Sequence, residues 1–326
     1  MSNEKNSRIF IAGHNGLVGS SIKRHLESMG CANIVTRTRA ELDLTNQAAV
    51  ADFFTKERFD QVYLAAAKVG GIHANNHYPA DFIYQNLMIQ NNVIYQSFLS
   101  GVKKILFLGS SCIYPKINSP FILESALLTG KLEPTNEPYA IAKIAGIKLC
   151  ESLNRQFGSS HGIDYRSIMP SNIYGPGDNF HPENGHVIPS LISKMHHAKI
   201  ANQSIISVWG SGLQKREFLY VDDMAEACVM VMNVPQPILS KSIRPMESHI
   251  NAGYGEDISI AELAYLVAEI VGFSGDIIFD RTRPDGPSRK QLDVSKIKIF
   301  GFEPKVNLRE GLIRTYDSFL IKLNKD

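Results

Sequence analysis

The sequence of 326 residues predicts a doubly wound α/β fold, with a mostly parallel sheet and a smaller α/β unit beside it. Three observations predict it. Through the first half, short apolar runs bounded by glycine or polar residues alternate with helical windows of ten or more residues, which implies parallel strands joined by helical crossovers. A glycine-spaced turn, Gly13-His14-Asn15-Gly16-Leu17-Val18-Gly19, directly follows the first apolar run. Later the texture changes. The segment from Ser171 to His186 is rich in Gly, Pro, Asn and His, which suits an irregular loop facing a ligand.

Arg8 to Ala12 (RIFIA) reads as the first strand and Leu17 to Met29 as the first helix. Asn33 to Thr36, Gln61 to Leu64 and Lys104 to Leu108 supply further strands, separated by helices over Gln47 to Lys56 and Pro79 to Leu99. A helix begins at Pro138, where a first turn tolerates proline, and continues to about Phe157. A strand over Asp164 to Met169 ends at Pro170, and helices over Val187 to Lys199 and Ile260 to Val271 mix with short strands thereafter.

Lys and Arg number 34 against 32 Asp and Glu, a net charge of +2, and 44% of the chain is hydrophobic. This balance suits an ordinary core and excludes disordered and fibrous classes. There is no long-range field and no run of five basic residues, so nucleic acid is not an expected partner. The polar start MSNEKNS and the absence of a long apolar run predict a cytoplasmic protein with no membrane partner. Four cysteines, Cys31, Cys112, Cys150 and Cys228, stand far apart with no C-x-x-C pair. That argues against a disulfide framework and against a zinc site, and no metal is expected.

Each glycine of the turn has a physical use. Gly13 permits a tight bend, Gly16 lets backbone N–H groups approach a pyrophosphate, and Gly19 allows close helix-to-strand packing, while the helix N-terminus favours the phosphate charge. A dinucleotide is therefore the expected cofactor. Where an acidic residue about twenty residues on would hold the ribose 2′-OH of NAD, this chain reads Arg37-Thr38-Arg39. Guanidinium groups there favour the 2′-phosphate of NADP. The alternative is two solvated arginines with Glu41 and Asp43 close behind.

Ser110 stands just beyond the fourth strand, in Gly109-Ser110-Ser111-Cys112-Ile113-Tyr114-Pro115, and Tyr139-Ala140-Ile141-Ala142-Lys143 follows. Tyr139 and Lys143, four residues apart, share one helix face. A neighbouring ammonium and a nicotinamide cation are expected to lower the phenol's pKa and make it a competent proton-transfer group. A serine hydroxyl can hold the carbonyl oxygen that receives a hydride.

Together, Gly13, Gly16, Gly19, Ser110, Tyr139 and Lys143 resemble the Rossmann-type extended short-chain dehydrogenase/reductases that act on nucleotide sugars. Val69-Gly70-Gly71-Ile72, Glu133-Pro134-Thr135-Asn136-Glu137-Pro138-Tyr139, Asp178-Asn179-Phe180-His181-Pro182 and Arg216-Glu217-Phe218 are similar to segments of one branch of that family. The resemblance runs over essentially the whole chain. It implies an NADPH-dependent enzyme that epimerises GDP-4-keto-6-deoxy-D-mannose at carbons 3 and 5 and then reduces carbon 4. It also implies a cofactor site formed by Gly13, Gly16, Leu17, Val18, Gly19, Arg37, Arg39, Asp43, Leu44, Ala65, Ala66, Lys143, Pro170 and Asn172. Asn15 stands where some relatives carry an arginine near the 2′-phosphate, so the preference for NADP rests on Arg37 and Arg39.

A ketone at carbon 4 acidifies the protons on carbons 3 and 5, and inversion at either carbon needs a base on one face and an acid on the other. The resemblance assigns these tasks to Cys112 and His186. Cys112 lies two residues from Ser110, which places its thiol near the reacting carbons, and a histidine exchanges protons near neutral pH. For the substrate, the resemblance points to Ser111, Asn172, Lys194, Arg216 and Lys290, cations among them suiting a diphosphate. Trp209, the only tryptophan, suits either a purine platform or core packing. The expected domains are 1–172 plus 218–251 for NADP and 173–217 plus 252–326 for the nucleotide sugar. A homodimer through the helices at 79–99 and 138–157 is implied by the family. Three rivals remain: a sibling that makes GDP-L-colitose from a 3-deoxy ketosugar, a plain 4-keto-reductase, and a non-catalytic NADP-binding sensor.

Overall fold

The computed structural model describes residues 5–116, 119–181, 185–283 and 285–324. Residues 1–4 of the polar start, 182–184 of the Gly/Asn-rich segment and Pro284 lie outside the described residues. The chain opens with β1 (Ile9–Ala12), α1 (Leu17–Ser28), β2 (Ile34–Thr36), α2 (Gln47–Lys56) and β3 (Gln61–Leu64). Next come α3 (Ile72–His77), α4 (Pro79–Leu99), β4 (Lys104–Leu108), α5 (Glu137–His161) and β5 (Asp164–Pro170). Helix α2 starts where the Asn46 side chain accepts from the Ala49 amide at 3.1 Å, a conventional N-cap. Helix α5 runs past the expected end at Phe157. It stops at Gly162, whose φ of +61° suits a left-handed C-terminal cap.

The second half contains β6 (Asn172–Tyr174), α6 (Val187–Ile200), β7 (Ile205–Trp209), β8 (Lys215–Tyr220), α7 (Val221–Asn233), α8 (Gln236–Ser242) and β9 (Ile250–Ala252). It closes with β10 (Asp257–Ser259), α9 (Ile260–Val271), β11 (Asp276–Asp280), β12 (Arg289–Lys290), α10 (Ser295–Ile299) and α11 (Leu308–Leu323). The segment read as wholly irregular from Ser171 to His186 thus holds a strand. Asn172, Ile173 and Tyr174 pair in parallel with Phe218, Leu219 and Tyr220; three residues of mixed polarity carry no readable period, and their partner is distant in sequence.

Six parallel strands form the main sheet in the order β2-β1-β3-β4-β5-β9. Strands β1 and β3 are buried along their whole length, which is why they read as near-continuous apolar runs. From β1 the chain passes first to β2 on one side and later to β3 on the other, so a crevice opens at the carboxyl ends of β1 and β3. On one flank Phe10, Phe53, Phe54 and Phe59 cluster with ring centroids 5.0–5.8 Å apart.

Around β8 a second set of strands assembles, β10 antiparallel and β6 and β12 parallel to it. Its core gathers Ile188, Leu191, Leu263, Val267 and Phe319. Leu292, Val294, Ile297 and Phe302, beyond β12, pack into the core of the main sheet instead. Glu217 joins these parts. Fully buried, it accepts the Gly255 amide at 2.7 Å and the Leu292 amide at 3.0 Å. Burial pushes its carboxyl up to about 7 even though those amides pull it down.

Candidate active site

A cleft of ≈ 1360 Å³ lies over the carboxyl ends of the main sheet, and every residue singled out above for cofactor, substrate or chemistry lines it. Asn15 does not appear among its lining residues. At the sheet end the glycine turn is forced by space. A Cβ on Gly13, whose φ is +90°, would stand 2.6 Å from the Ala66 amide nitrogen, and one on Gly19 would stand 2.1 Å from the Gly13 carbonyl oxygen. Helix α1 begins at Gly16 with no side-chain cap, which leaves its first-turn amides as donors for an anion. A pyrophosphate fits this cradle.

Arg37 and Arg39 differ in readiness. The Arg37 guanidinium lies 5.3 Å from the Phe53 ring centroid and donates to Glu57 at 3.3 Å, whereas Arg39 is 76% exposed and 3.9 Å from Asp43. Arg37 is thus a held wall, and Arg39 an exposed cation at the rim beside Asp43. Replacing both with alanine is expected to weaken NADPH far more than NADH, measured by titration of bound-cofactor fluorescence; equal losses would contradict the 2′-phosphate assignment.

Strand β4 delivers Ser110, which caps a single 3-10 turn over Ser111–Ile113: its Oγ accepts the Cys112 amide at 3.2 Å. Tyr139 and Lys143 project from the first turns of α5. Tyr139 is hydrogen-bonded to Ser110, and burial, with Cys112 beside it, raises its pKa. Lys143 by itself does not bring the lowering expected of it together with a nicotinamide cation. The Lys143 ammonium points elsewhere, donating to the Leu108 carbonyl at 2.8 Å, with the Tyr139 ring centroid 5.8 Å away. Buried itself, Lys143 falls to about 7. A phenol kept neutral is the form a reduction needs, since it must hold a proton until the alkoxide arrives.

Cys112 is partly exposed to the cleft, and its Sγ accepts two hydrogen bonds, from Asn136 Nδ2 at 3.4 Å and Lys290 Nζ at 3.7 Å. The resemblance had suggested Lys290 only for the substrate; the structure sets its ammonium on the thiol. Register explains why. Lys290 of β12 pairs with Arg216 of β8, and Glu217 anchors Leu292 two residues on. Asn136 was missed as a functional residue. Its signal was its place, at the N-terminus of the helix that carries Tyr139.

His186 stands at the N-cap position of α6, half exposed, and lines the same cleft. Asn172 donates its side-chain amide to the Glu217 carbonyl at 2.8 Å. Arg216 donates to the Pro287 and Lys215 carbonyls, each at 2.7 Å. Trp209 is 44% exposed, which removes the core-packing alternative. Arg283 lies 4.8 Å and Lys194 5.7 Å from its ring centroid. With Arg289 and Lys290 these residues make a cationic wall suited to a diphosphate. Among the described residues, no group of three or more His, Cys, Asp or Glu is placed to hold a metal.

Comparison with known proteins agrees with this geometry. The NAD dependent epimerase/dehydratase family matches residues 9–253. The chain is 56% identical over 313 residues to GDP-L-fucose synthase of Escherichia coli (strain K12), covering 96% of both. It is 55% identical to GDP-L-fucose synthase 1 of Arabidopsis thaliana, over 97% of this chain and 94% of that one. Identity to GDP-L-colitose synthase of Yersinia pseudotuberculosis is 34%, over 98% of this chain and 100% of that one. Among solved structures, a GDP-mannoheptose C4 reductase from Campylobacter jejuni with NADP bound superposes with a TM-score of 0.86 at 37% identity, over 97% of this chain and 99% of that one. The chain belongs to the NAD dependent epimerase/dehydratase family, among the relatives of GDP-L-fucose synthase.

Proposed function

We propose that the protein converts GDP-4-keto-6-deoxy-D-mannose to GDP-L-fucose, by epimerisation at carbons 3 and 5 and NADPH-dependent reduction at carbon 4. The observation that carries this reading is the meeting of Ser110, Tyr139 and Lys143 with Cys112 and His186 in one cleft. The glycine turn and Arg39 hold the cofactor, which supplies the hydride that carbon 4 receives. Cys112 and His186 exchange protons at carbons 3 and 5: a C–H bond breaks, its electrons enter the enolate, and a proton returns to the opposite face. Lys290 and Asn136 hold a negative sulfur while it carries that charge. Ser110 binds the carbonyl oxygen, and Tyr139 gives it a proton as the alkoxide forms.

A plain 4-keto-reductase or a sensor has no use for a partly exposed thiol held by an ammonium. The colitose-forming sibling is disfavoured by its lower identity, 34% against 56% for the GDP-L-fucose synthase. The test is to offer the protein NADPH with GDP-, UDP- and dTDP-linked 4-keto-6-deoxy sugars and determine product stereochemistry by NMR. Turnover of the GDP sugar to the L-galacto product is expected; preference for a UDP or dTDP sugar contradicts the reading.

We also propose a cytoplasmic homodimer built of two bodies, 1–172 with 218–251 and 173–217 with 252–326, the second lending Leu292, Val294, Ile297 and Phe302 to the core of the first. No helix among the described residues is long and apolar enough to cross a membrane. Helices α4 and α5 expose Tyr84, Tyr95, Leu99 and Ile141, between 42% and 63%, an apolar face suited to a second copy. Sedimentation equilibrium should report twice the chain mass; a monomer at micromolar concentration contradicts the dimer.

A further inference from the structure

Asp178 belongs to none of the roles above, yet it lies where a role is needed. Its side chain is only 4% exposed, it lines the cleft, and its Oδ1 stands 4.0 Å from His186 Nδ1. Oδ1 also accepts the Asn179 amide at 2.7 Å, whereas Oδ2 is buried with no hydrogen-bond partner among the described residues. A buried carboxylate oxygen left unpaired is costly, and such groups persist where they serve a function. His186, for its part, sits at the N-terminal end of α6. The first turn of that helix carries no acidic residue of its own, and the carboxylate that faces the imidazole is Asp178.

We propose that Asp178 is the positioning residue of His186, a carboxylate that orients its imidazole for the proton transfers of the epimerisation. The inference rests on the function proposed above. From its separation of 4.0 Å, a small turn of the imidazole lets Asp178 accept the Nδ1–H of His186, which leaves Nε2 directed at the sugar. When Nε2–H gives its proton to the enolate carbon, the new C–H bond forms with the enolate electrons and the imidazole is left neutral, still holding Nδ1–H toward Asp178. In the reverse sense, Nε2 takes a proton and Asp178 stabilises the cation that results. Neither step needs any group beyond the substrate and these two side chains.

A double-mutant cycle read by solvent exchange tests this. The unaltered protein, Asp178→Asn, His186→Asn and the doubly substituted protein are each incubated with GDP-4-keto-6-deoxy-D-mannose and NADP+ in D2O. Deuterium at carbons 3 and 5 is followed separately by NMR. Asp178→Asn is expected to slow exchange by ~10²-fold, at the low end for a positioned acid or base. The loss should fall on the same carbon as for His186→Asn, with cofactor affinity unchanged. In the His186→Asn background the second substitution should cost nothing more, because groups acting as a unit are not additive. Losses that multiply, or a loss at the other carbon, would overturn the proposal. So would unaltered exchange in Asp178→Ala, a second variant that removes the carboxylate altogether. If the unaltered protein exchanges neither carbon, the epimerase reading itself fails, an outcome distinct from all of these.

Discussion

Tyr139→Phe is expected to lower hydride transfer by ~10²–10⁴-fold, the usual contribution of a positioned general acid, while NADPH affinity stays near that of the unaltered protein. Removal of one hydroxyl leaves the ring, which meets Phe82 edge-on at 6.1 Å between centroids, still packed. What is lost is a proton poised beside the Ser110 hydroxyl, kept on the phenol by burial and by Cys112. Proton exchange at carbons 3 and 5 should continue in this variant, because those steps precede reduction and use other groups. Single-turnover absorbance of NADPH separates the two. Lys143 adds a pH signature. Its ammonium is held down to about 7 by burial, so its charge is present below that pH and lost above it. That charge, 5.8 Å from the Tyr139 ring centroid, steadies the phenolate left once the proton has gone, so hydride transfer should slow as pH rises through about 7. An unchanged rate in Tyr139→Phe would remove the phenol from the mechanism.

Cys112→Ala should abolish deuterium incorporation at carbons 3 and 5 while leaving cofactor binding intact. The thiol sits two residues past the Ser110 hydroxyl, on a 3-10 turn that Ser110 itself caps. An alanine keeps that turn, since the cap is a bond from backbone N–H to Oγ. The donors Asn136 and Lys290 lose their shared acceptor. Lys290, on the cleft wall, remains solvated, so the cost to stability should be small. Reduction without inversion is the outcome expected of the variant, observed as slow NADPH consumption that yields a product with its ring protons retained. Undiminished exchange at both carbons would remove Cys112 from the chemistry.

Strands β1, β3, β4 and β5 were legible because they are buried along nearly their whole length and long helices join them, whereas β9, three residues long, carried no readable pattern. Gly13 and Gly19 were legible because only glycine fits beside Ala66 and the Gly13 carbonyl; Gly16, which has room for a Cβ, was legible by its spacing alone. What escaped reading depends on contacts distant in sequence. Strand β6 exists only through β8. The ammonium of Lys290 reaches Cys112 across 178 residues of chain, and no local pattern encodes that approach. Asp178 looked like one more polar residue in a polar segment; its burial, not its type, marks it out. That Lys143 alone does not lower Tyr139 has a related reason. Spacing placed Lys143 on the same helix face, but the carbonyl of Leu108 captures its ammonium, and burial then governs both groups.

Most direct is the fate of the ring protons during a full turnover. With GDP-4-keto-6-deoxy-D-mannose and NADPH in D2O, the protein should release a product of L-galacto configuration. That product should carry deuterium at carbons 3 and 5 and protium from NADPH at carbon 4. A D-configured 6-deoxy product with its original protons at carbons 3 and 5 would contradict the account, and would leave the thiol of Cys112 without a task.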